Sequence, residues 1–174
     1  KVEFTTIAAR REPIDVREIT ESLLEELAPQ IKMKHLTLKT SYGKNPIIMT
    51  ADRTLLRIVF QNLLSNAVKY TPDSGRVTFT ASSGPEGFAF SVTDTGYGIP
   101  ESQQKYIFSK LFRADNVQTH EIDGTGLGLY SVKTIVDAAG GTIAFVSKEN
   151  QGTTFTVTFP PGGMLQGNET GTTG

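Results

Sequence analysis

Apolar residues recur at helical spacing in three stretches of the chain. The first is residues 15–34, with Asp15 placed to cap the free amides of the first turn. The second runs from Asp52 to the Thr-Pro pair at residues 71–72, where proline stops a helix. The third covers residues 127–139 and ends at two glycines, a common C-cap. The apolar faces of the first two predicted helices comprise Ile19, Leu23, Leu24, Leu27, Leu55, Leu56, Val59, Phe60, Leu63, Leu64, Ala67 and Val68.

Alternating apolar and polar residues predict strands between and after these helices. Residues 84–86, Gly-Pro-Glu, are predicted to join two of the strands as a hairpin. A glycine-punctuated stretch, residues 94–128, is predicted to hold one short helix near residues 101–108. Since the order lacks a regular βαβ alternation, it favours an α+β two-layer sandwich, with about three main helices on one face of a mixed, mostly antiparallel sheet. The predicted strands are residues 36–41, 47–49, 76–83, 87–93, 142–147 and 153–159.

The composition is that of one soluble domain, with 174 residues, 37% hydrophobic and 20% charged. The net charge of −1 offers no global field for nucleic acid, so no nucleic-acid partner is expected. The chain has no cysteine, which excludes disulfides and thiolate metal sites. No apolar run reaches the roughly 20 residues of a membrane helix, so this chain is not expected to be membrane-inserted. A tail rich in Gly and Thr, residues 161–174, is expected to be disordered.

The polar stripe of the second predicted helix is a candidate site. Asn62, Asn66 and Lys69 are spaced four and then three residues apart, so they share one face, with Tyr70 at its edge. An amide oxygen is a ligand for Mg²⁺, and a lysine is a point charge for phosphate. A solvated face of an ordinary amphipathic helix would look the same, so this stripe alone decides nothing.

Two glycine-rich stretches could approach a ligand closely. Residues 94–100, DTGYGIP, place an acid and two glycines after a strand, and that carboxylate could accept a hydrogen bond from an adenine amine. An ordinary turn has the same composition. Residues 124–129, GTGLGL, open a helix whose free amides and dipole favour phosphate. They are not the dinucleotide fingerprint, because Leu129 replaces its third glycine.

Taken together and in this order, these stretches resemble the histidine-kinase branch of the GHKL ATPase superfamily. Residues 62–72, NLLSNAVKYTP, resemble its N box, and residues 94–100 its G1 box. Residues 108–115, FSKLFRAD, are similar to the F box, although the family often has arginine and an aromatic residue where Lys110 and Leu111 stand. Residues 124–129 resemble the G2 box.

The resemblance, which covers residues 12–160, implies a Bergerat-type fold that binds ATP and Mg²⁺. It assigns Asn66 as the metal ligand and gives catalytic roles to Asn62, Asn66 and Lys69. It makes Asp94 the acceptor for the adenine amine, supported by Thr153. Residues 101–123 would form a mobile lid over the nucleotide. The implied nucleotide-binding residues are Asn66, Lys69, Tyr70, Asp94, Gly96, Gly98, Ile99, Phe108, Lys110, Phe112, Arg113, Gly124, Thr125, Gly126, Leu127, Gly128, Leu129 and Thr153.

The residue at position 62 separates kinase from hydrolase chemistry. The superfamily's ATP hydrolases carry a general-base glutamate where this chain has Asn62, and an amide cannot take a proton at neutral pH. His35 lacks the acidic neighbour and the proline-marked helix of the family's phosphoacceptor, and His120 lies in the predicted lid, so neither is expected to be the acceptor. Alternatives left open are a regulatory nucleotide-binding module without turnover and a GHKL protein-serine kinase.

The resemblance also implies partners and a location. The acceptor histidine is expected on a separate dimerisation domain, to which residues 1–11 would be the linker remnant, with a response regulator downstream. The fragment itself is expected to be a monomeric cytoplasmic domain of a parent protein in the cell inner membrane.

Overall fold

A computed structural model describes residues 10–119 and 126–165. Within these ranges the chain forms seven strands, four α-helices and one 3₁₀ helix. In chain order they are β1 (Arg11–Asp15), α1 (Val16–Met33), β2 (Thr37–Ser41), β3 (Ile48–Asp52), α2 (Arg53–Tyr70), β4 (Arg76–Gly84), β5 (Gly87–Asp94), the 3₁₀ helix (Glu101–Tyr106), α3 (Asp115–Thr119), α4 (Gly128–Ala138), β6 (Thr142–Lys148) and β7 (Gly152–Phe159).

The long helices begin at the predicted aspartates. The Asp15 carboxylate accepts hydrogen bonds from the amides of Arg17 and Glu18, and Asp52 accepts one from Leu55 at 2.9 Å. Each aspartate satisfies amides that have no partner inside the helix, so the cap predicted at Asp15 is confirmed, and Asp52, predicted to begin the second helix, caps it in the same way. Helix α1 continues through Pro29 without a break.

Five strands form the main sheet in the order β2-β4-β5-β7-β6. Only β2 and β4 pair in parallel, and the other pairs are antiparallel, which confirms a mixed, mostly antiparallel sheet. The predicted hairpin joins β4 to β5. The register of β5 against β7 sets Asp94 opposite Thr153, and this pairing positions the site described below.

Strand β1 was missed by the sequence analysis. It pairs antiparallel with β3 in a separate two-stranded sheet, with Asp15 opposite Ile48. Nothing in five residues that include Pro13 distinguishes such a strand from a linker, because its stability comes from pairing with residues far along the chain.

The core lies between the helices and the five-stranded sheet. Phe60 of α2 lies at its centre. Its ring packs edge-on against the rings of Phe79 and Phe90, with centroid distances of 5.5 and 5.0 Å, respectively. The apolar face predicted for α1 is fully buried, and on α2 all predicted apolar residues are buried except Leu55, which is partly buried. Burial of these faces fixes α2 against the sheet, so its polar stripe points the other way.

The segment after β7 corrects the expected disorder of residues 161–174. Residues 161–165 pack onto the domain: Met164 is 2% exposed, and its amide donates to the carbonyl of Thr50 at 2.9 Å. The amide of Leu165 donates to the carbonyl of Ala139. The buried side chain of Met164 anchors this segment, although the Gly-rich composition of the tail gives no indication of it. The rest of the predicted tail, like residues 1–9 of the predicted linker, lies outside the described residues.

No helix among the described residues combines the length and apolar character needed to cross a membrane.

Candidate functional site

A cleft opens between α2, the turn after β5, the start of α4 and the segment that follows the 3₁₀ helix. Its cavity volume is about 200 Å³, and it is partly open to solvent, so it is a cleft rather than an enclosed chamber. Its lining residues are Asn62, Leu63, Ser65, Asn66, Ala67, Lys69, Tyr70, Asp94, Gly98, Ile99, Ile107, Phe112, Arg113, Ala114, Val117, Gly126, Gly128, Leu129, Thr153 and Phe155.

Asp94, the last residue of β5, marks one end of this cleft. Its Oδ1 accepts hydrogen bonds from the amides of Gly96 at 2.8 Å and Thr153 at 3.2 Å. No described residue donates to Oδ2. Burial raises the pKa of Asp94 to about 6, although the two amides oppose this shift by stabilising the carboxylate. The carboxyl is therefore held rigidly, with one acceptor oxygen left for a ligand.

The turn after Asp94 is fixed by the hairpin of β6 and β7. The Ser147 hydroxyl accepts a hydrogen bond from the amide of Ile99 at 2.9 Å and pairs with the hydroxyl of Thr153 at 2.8 Å. Gly98 has a φ of +65°, and a Cβ there would lie 2.0 Å from the carbonyl oxygen of Lys148. Only glycine lets the turn approach that strand so closely.

The polar stripe of α2 lies along the cleft, and its two asparagines differ. Asn62 donates from Nδ2 to the carbonyl of Ile58 at 2.8 Å, and its Oδ1 lies 2.8 Å from where a Cβ on Gly128 would be. Asn62 is thus engaged by its own helix and packed against the start of α4. The side-chain amide of Asn66 makes no hydrogen bond to a described residue, so it remains available to a ligand.

Lys69 and Tyr70 are the last two residues of α2, and both line the cleft. Lys69 is exposed, with its Nζ 5.6 Å from the centre of the Tyr70 ring. Burial raises the pKa of the Tyr70 hydroxyl above its usual value, and the positive charge of Arg113 acts in the opposite direction. The phenol therefore stays neutral at physiological pH and presents a ring and a hydrogen-bonding group to the cleft.

The donor set suits a phosphate-bound magnesium ion better than a metal held by protein alone. The described residues contain no cluster of three or more His, Cys, Asp or Glu side chains that could hold a metal. Asn66 offers one neutral oxygen. Mg²⁺ is commonly held by few protein oxygens together with substrate phosphates and water, so a single asparagine ligand fits that ion.

The segment between the 3₁₀ helix and α4 covers the cleft with apolar side chains. Ile107, Ala114 and Val117 are each at most 8% exposed and line the cleft, although the sequence analysis did not single them out. Phe112 and Arg113 line it as well. Helix α3, which carries Val117, is hydrogen-bonded to the turn after Asp94, so this apolar wall adjoins that end of the cleft.

Several predicted residues do not line the cleft. Phe108 packs against Phe145 and Phe155, behind the cleft wall, and the Lys110 side chain is exposed to solvent. Gly96 contributes its amide to Asp94, and Leu127 immediately precedes α4. Gly124, Thr125 and His120 lie outside the described residues. The predicted residues that the structure brings together around the cleft are Asn62, Asn66, Lys69, Tyr70, Asp94, Gly98, Ile99, Phe112, Arg113, Gly126, Gly128, Leu129 and Thr153.

Ser147 was also missed. Nothing in the alternation of β6 distinguishes it from the other polar residues of the strand. Its role follows from the antiparallel register, which sets Ser147 opposite Thr153 at the end of the sheet that carries Asp94.

Comparison with known proteins shows the family of this chain. Residues 51–163 match the family described as histidine kinase-, DNA gyrase B- and HSP90-like ATPase. The sensor histidine kinase WalK of Bacillus subtilis is 35% identical over 141 residues, which cover 80% of this chain and 23% of WalK. The adaptive-response sensory kinase SasA of Synechocystis is 36% identical over 149 residues, which cover 85% of this chain and 38% of SasA.

Solved structures agree with these relatives. The catalytic domain of the histidine kinase ThkA superposes with a TM-score of 0.75 at 25% identity, covering 87% of this chain and 96% of that one. Full-length ShkA in complex with AMPPNP superposes with a TM-score of 0.76 at 30% identity, covering 92% of this chain and 33% of that one.

The chain belongs to the histidine kinase-, DNA gyrase B- and HSP90-like ATPase family. Within that family its sequence and fold are those of the catalytic domain of protein-histidine kinases. It spans about a quarter to two fifths of the length of the two curated relatives described above.

Proposed function

We propose that this domain binds Mg-ATP and transfers the γ-phosphoryl group to a histidine on a separate dimerisation domain, as part of two-component signalling. The observation that carries the proposal is the Asp94 carboxyl, whose Oδ1 is satisfied by two backbone amides while Oδ2 is left for a ligand in the cleft. An adenine presents an amine at the position where a guanine presents a carbonyl. A fixed acceptor therefore selects adenine, since a guanine carbonyl would leave both oxygens without a hydrogen.

The other end of the cleft suits the phosphates. Asn66 would hold Mg²⁺, and Lys69 would contact phosphate; the ion when bound supplies charge neutralisation to the transferring phosphoryl group. In the relative ShkA the bound molecule is AMPPNP, which supports a nucleotide in the equivalent cleft here. The glycines before α4 would let the backbone approach the phosphates.

The chemistry of Asn62 favours transfer to histidine over hydrolysis. Its Nδ2 is held by the carbonyl of Ile58, and neither end of an amide takes a proton at neutral pH, so water near it is not activated. A neutral imidazole is already a nucleophile. In the transfer, its nitrogen forms the bond to the γ-phosphorus while the bond to the bridging oxygen breaks, and ADP leaves with that electron pair.

The acceptor is expected on another domain. His35 lies in the turn between α1 and β2, exposed and away from the cleft-lining residues, and His120 lies outside the described residues. In the proposed arrangement residues 1–11 lead to the dimerisation domain and the phosphorylated histidine then serves a response regulator. The isolated domain is monomeric, and its parent sits in the inner membrane with this domain in the cytoplasm, where ATP is found.

Calorimetric titration with ATP, with and without Mg²⁺ and with GTP as control, tests the nucleotide site. We expect saturable binding of ATP, weaker binding of GTP, and loss of binding in Asp94→Asn. In that variant the amide oxygen can keep both backbone hydrogen bonds while its NH₂ opposes the adenine amine. Binding of ATP by Asp94→Asn with unchanged affinity would contradict this assignment of the base end.

Addition of a histidine-bearing dimerisation domain from a related kinase, with radiolabelled ATP, tests the reaction. We expect Mg-dependent labelling of the added domain that acid removes, because phosphohistidine is acid-labile. Acid-stable label would instead indicate a serine kinase. Binding without any labelling would support a regulatory nucleotide-binding module.

A further inference from the structure

Helix α3 is tied to the turn that follows Asp94. The Asn116 side chain donates from Nδ2 to the carbonyl of Gly98 at 2.9 Å and to the carbonyl of Tyr97 at 3.3 Å. The nitrogen has two hydrogens, so one can serve each carbonyl. These carbonyls belong to the turn whose Gly96 amide donates to the Asp94 carboxylate, so α3 and the base end of the cleft share one hydrogen-bonded unit.

Two further contacts join this segment to the same end of the domain. Gln103 and Asp115 pair reciprocally, since the side-chain amide of Gln103 donates to Asp115 at 2.6 Å and accepts from its backbone amide at 2.9 Å. Gln104 donates to the carbonyls of Ile99 and Ser147 at 3.1 Å each. The 3₁₀ helix is thereby linked to α3 on one side and to the turn and β6 on the other.

The residues beside Asn116 form part of the cleft wall. Ala114 and Val117 flank it in sequence, line the cleft, and are each 8% exposed. Their position relative to Asp94 is held by the two bonds of Asn116 together with the Gln103–Asp115 pair, because a helix of five residues has little stability of its own. Loss of these bonds would let the apolar wall move away from the base end.

The unpaired oxygen of Asn116 indicates that this side chain stabilises the structure through its Nδ2 donor alone. Oδ1 is buried with no hydrogen-bond partner among the described residues. A buried, unpaired acceptor destabilises the fold, and an apolar side chain of similar shape would avoid that cost. An asparagine is therefore favourable here only because its nitrogen satisfies the two carbonyls of the turn.

We propose that Asn116 is a positioning residue for the nucleotide base: by clamping α3 onto the carbonyls of Tyr97 and Gly98, it holds the apolar wall of Ala114 and Val117 against the base end of the cleft. This inference rests on the proposed nucleotide site. Asn116 acts through these neighbours and touches no reacting atom. Its loss should therefore weaken every ligand that carries adenine by the same factor, whatever the number of phosphates.

Calorimetric affinities of Asn116→Ala and Asn116→Asp for adenosine, ADP and Mg-ATP test the clamp. We expect both variants to bind all three ligands about three- to tenfold more weakly, the loss of one or two hydrogen bonds. Asn116→Asp should be at least as weak as Asn116→Ala, although it has the native shape, because an ionised carboxylate would face two carbonyl oxygens. Asn45→Ala, at an exposed asparagine before β3, is the matched control and should bind like the parent.

Hydrogen–deuterium exchange on the ligand-free protein tests the same clamp without nucleotide. We expect amides of α3 and of residues 95–99 to exchange faster in both Asn116 variants than in the control. Slower or equal exchange, native-like affinity of Asn116→Asp, or a loss for Mg-ATP that adenosine does not share would each overturn the clamp while leaving the ATP site standing. Failure of the parent protein to bind any adenine ligand, with the exchange difference present, would instead remove the proposed function and with it the role in base binding.

Discussion

The two ends of the cleft are built in different ways. At the base end, Asp94 accepts hydrogen bonds from two backbone amides, one in β7 and one in the turn that follows β5. Ser147 holds that turn in place. At the phosphate end, the side-chain amide of Asn66 makes no hydrogen bond to a described residue, and the side chain of Lys69 is exposed. The side chains of the base end are therefore held in place by protein hydrogen bonds before a ligand binds, whereas those of the phosphate end are not.

The difference follows from which elements supply each end. Antiparallel register sets Asp94, Ser147 and Thr153 side by side, and a sheet holds such positions rigidly. The phosphate end comes from one helix face and from the glycines at the start of α4, where no strand register aligns the side chains. A preformed end that selects the base and an open end that organises around phosphate and metal would suit the proposed binding of ATP, transfer of its last phosphoryl group and release of ADP.

Matched glycine substitutions at the two ends should give the largest contrast. Gly98 and Gly126 have φ values of +65° and +71°, and an added Cβ would lie 2.0 Å from the Lys148 carbonyl oxygen and 2.6 Å from the Leu111 carbonyl carbon, respectively. We expect Gly98→Ala to lower the free energy of unfolding by roughly 2–4 kcal/mol, because the clash falls within the sheet. Gly126→Ala should cost less, roughly 1–2 kcal/mol, because Leu111 lies in a loop outside the sheet, while hindering ATP binding.

Urea denaturation followed by circular dichroism measures both changes. Gly43→Ala is a control for positive φ without a clash, because nothing lies within 4 Å of its added Cβ. Equal destabilisation by Gly98→Ala and Gly126→Ala would contradict the view that only the base end is part of the rigid sheet.

Substitutions of the two ligand-facing side chains should separate base from phosphate. Asn66→Asp keeps the shape but adds a negative charge where phosphate is expected, so it should weaken Mg-ATP about tenfold or more and leave adenosine unchanged. Asp94→Asn should weaken adenosine and ATP alike. Parallel calorimetry with both ligands distinguishes these patterns. An equal loss of adenosine and ATP affinity in Asn66→Asp would place Asn66 away from the phosphates.

The sequence predicted the parts of this site that depend on local pattern. Helix periodicity placed Asn62, Asn66 and Lys69 on one face of α2, and an aspartate followed by glycines marked the turn after β5. Both lie at the cleft. The N-cap at Asp15 was predicted from a single residue because capping acts within one turn.

The parts that the sequence did not predict depend on contacts between distant residues. Strand β1 exists through pairing with β3, and α3 is a five-residue helix whose anchor, Asn116, bonds to a turn 18 residues earlier. The strand order, with β7 inserted between β5 and β6, also sets the position of Ser147 and is not encoded in any local pattern. Burial of Met164 likewise depends on β3 and the end of α4, which lie far away in the chain.

The pH dependence of base binding should follow Asp94. Burial raises its pKa to about 6, so the acceptor oxygen is ionised at pH 7 and mostly protonated at pH 5. We expect adenosine, which has no phosphate to titrate, to bind about tenfold more weakly at pH 5 than at pH 7. Fold stability should change in the opposite direction. Because the folded pKa lies above the unfolded value, this carboxyl contributes most stability below about pH 4 and loses it as the pH rises through 6.

Calorimetry between pH 5 and pH 7.5 measures the binding change, and thermal unfolding over the same range measures stability. The Asp94→Asn variant provides the reference for stability, since it has no group to ionise at this position. A pH-independent affinity for adenosine in the parent protein would show that the ionised carboxylate is not the group that reads the base.

The smallest expected effect comes from support beneath the phosphate end. Lys34, just after α1, donates from Nζ to the carbonyls of Val68 and Lys69 at 2.7 and 3.0 Å, and so caps the last turn of α2. Burial lowers the pKa of Lys34, and the nearby Asp73 carboxylate partly restores it. Lys34→Met should cost about 1 kcal/mol of stability, the value of a partly exposed helix-end lysine, and weaken Mg-ATP about twofold by loosening the turn that carries Lys69.

Lys32→Met is the matched control, because Lys32 is exposed in the last turn of α1. Urea denaturation and calorimetry with adenosine and Mg-ATP should show a loss for Lys34→Met that the control lacks, and the loss of affinity should be confined to Mg-ATP. If Lys34→Met weakened adenosine as strongly as Mg-ATP, the end of α2 would be coupled to the preformed base end through the hydrogen bond from the Tyr97 amide to the Tyr70 carbonyl at 3.2 Å. The two ends of the cleft would then behave as one unit, and the exposed side chain of Lys69 and the side-chain amide of Asn66, which makes no hydrogen bond to a described residue, argue against that arrangement.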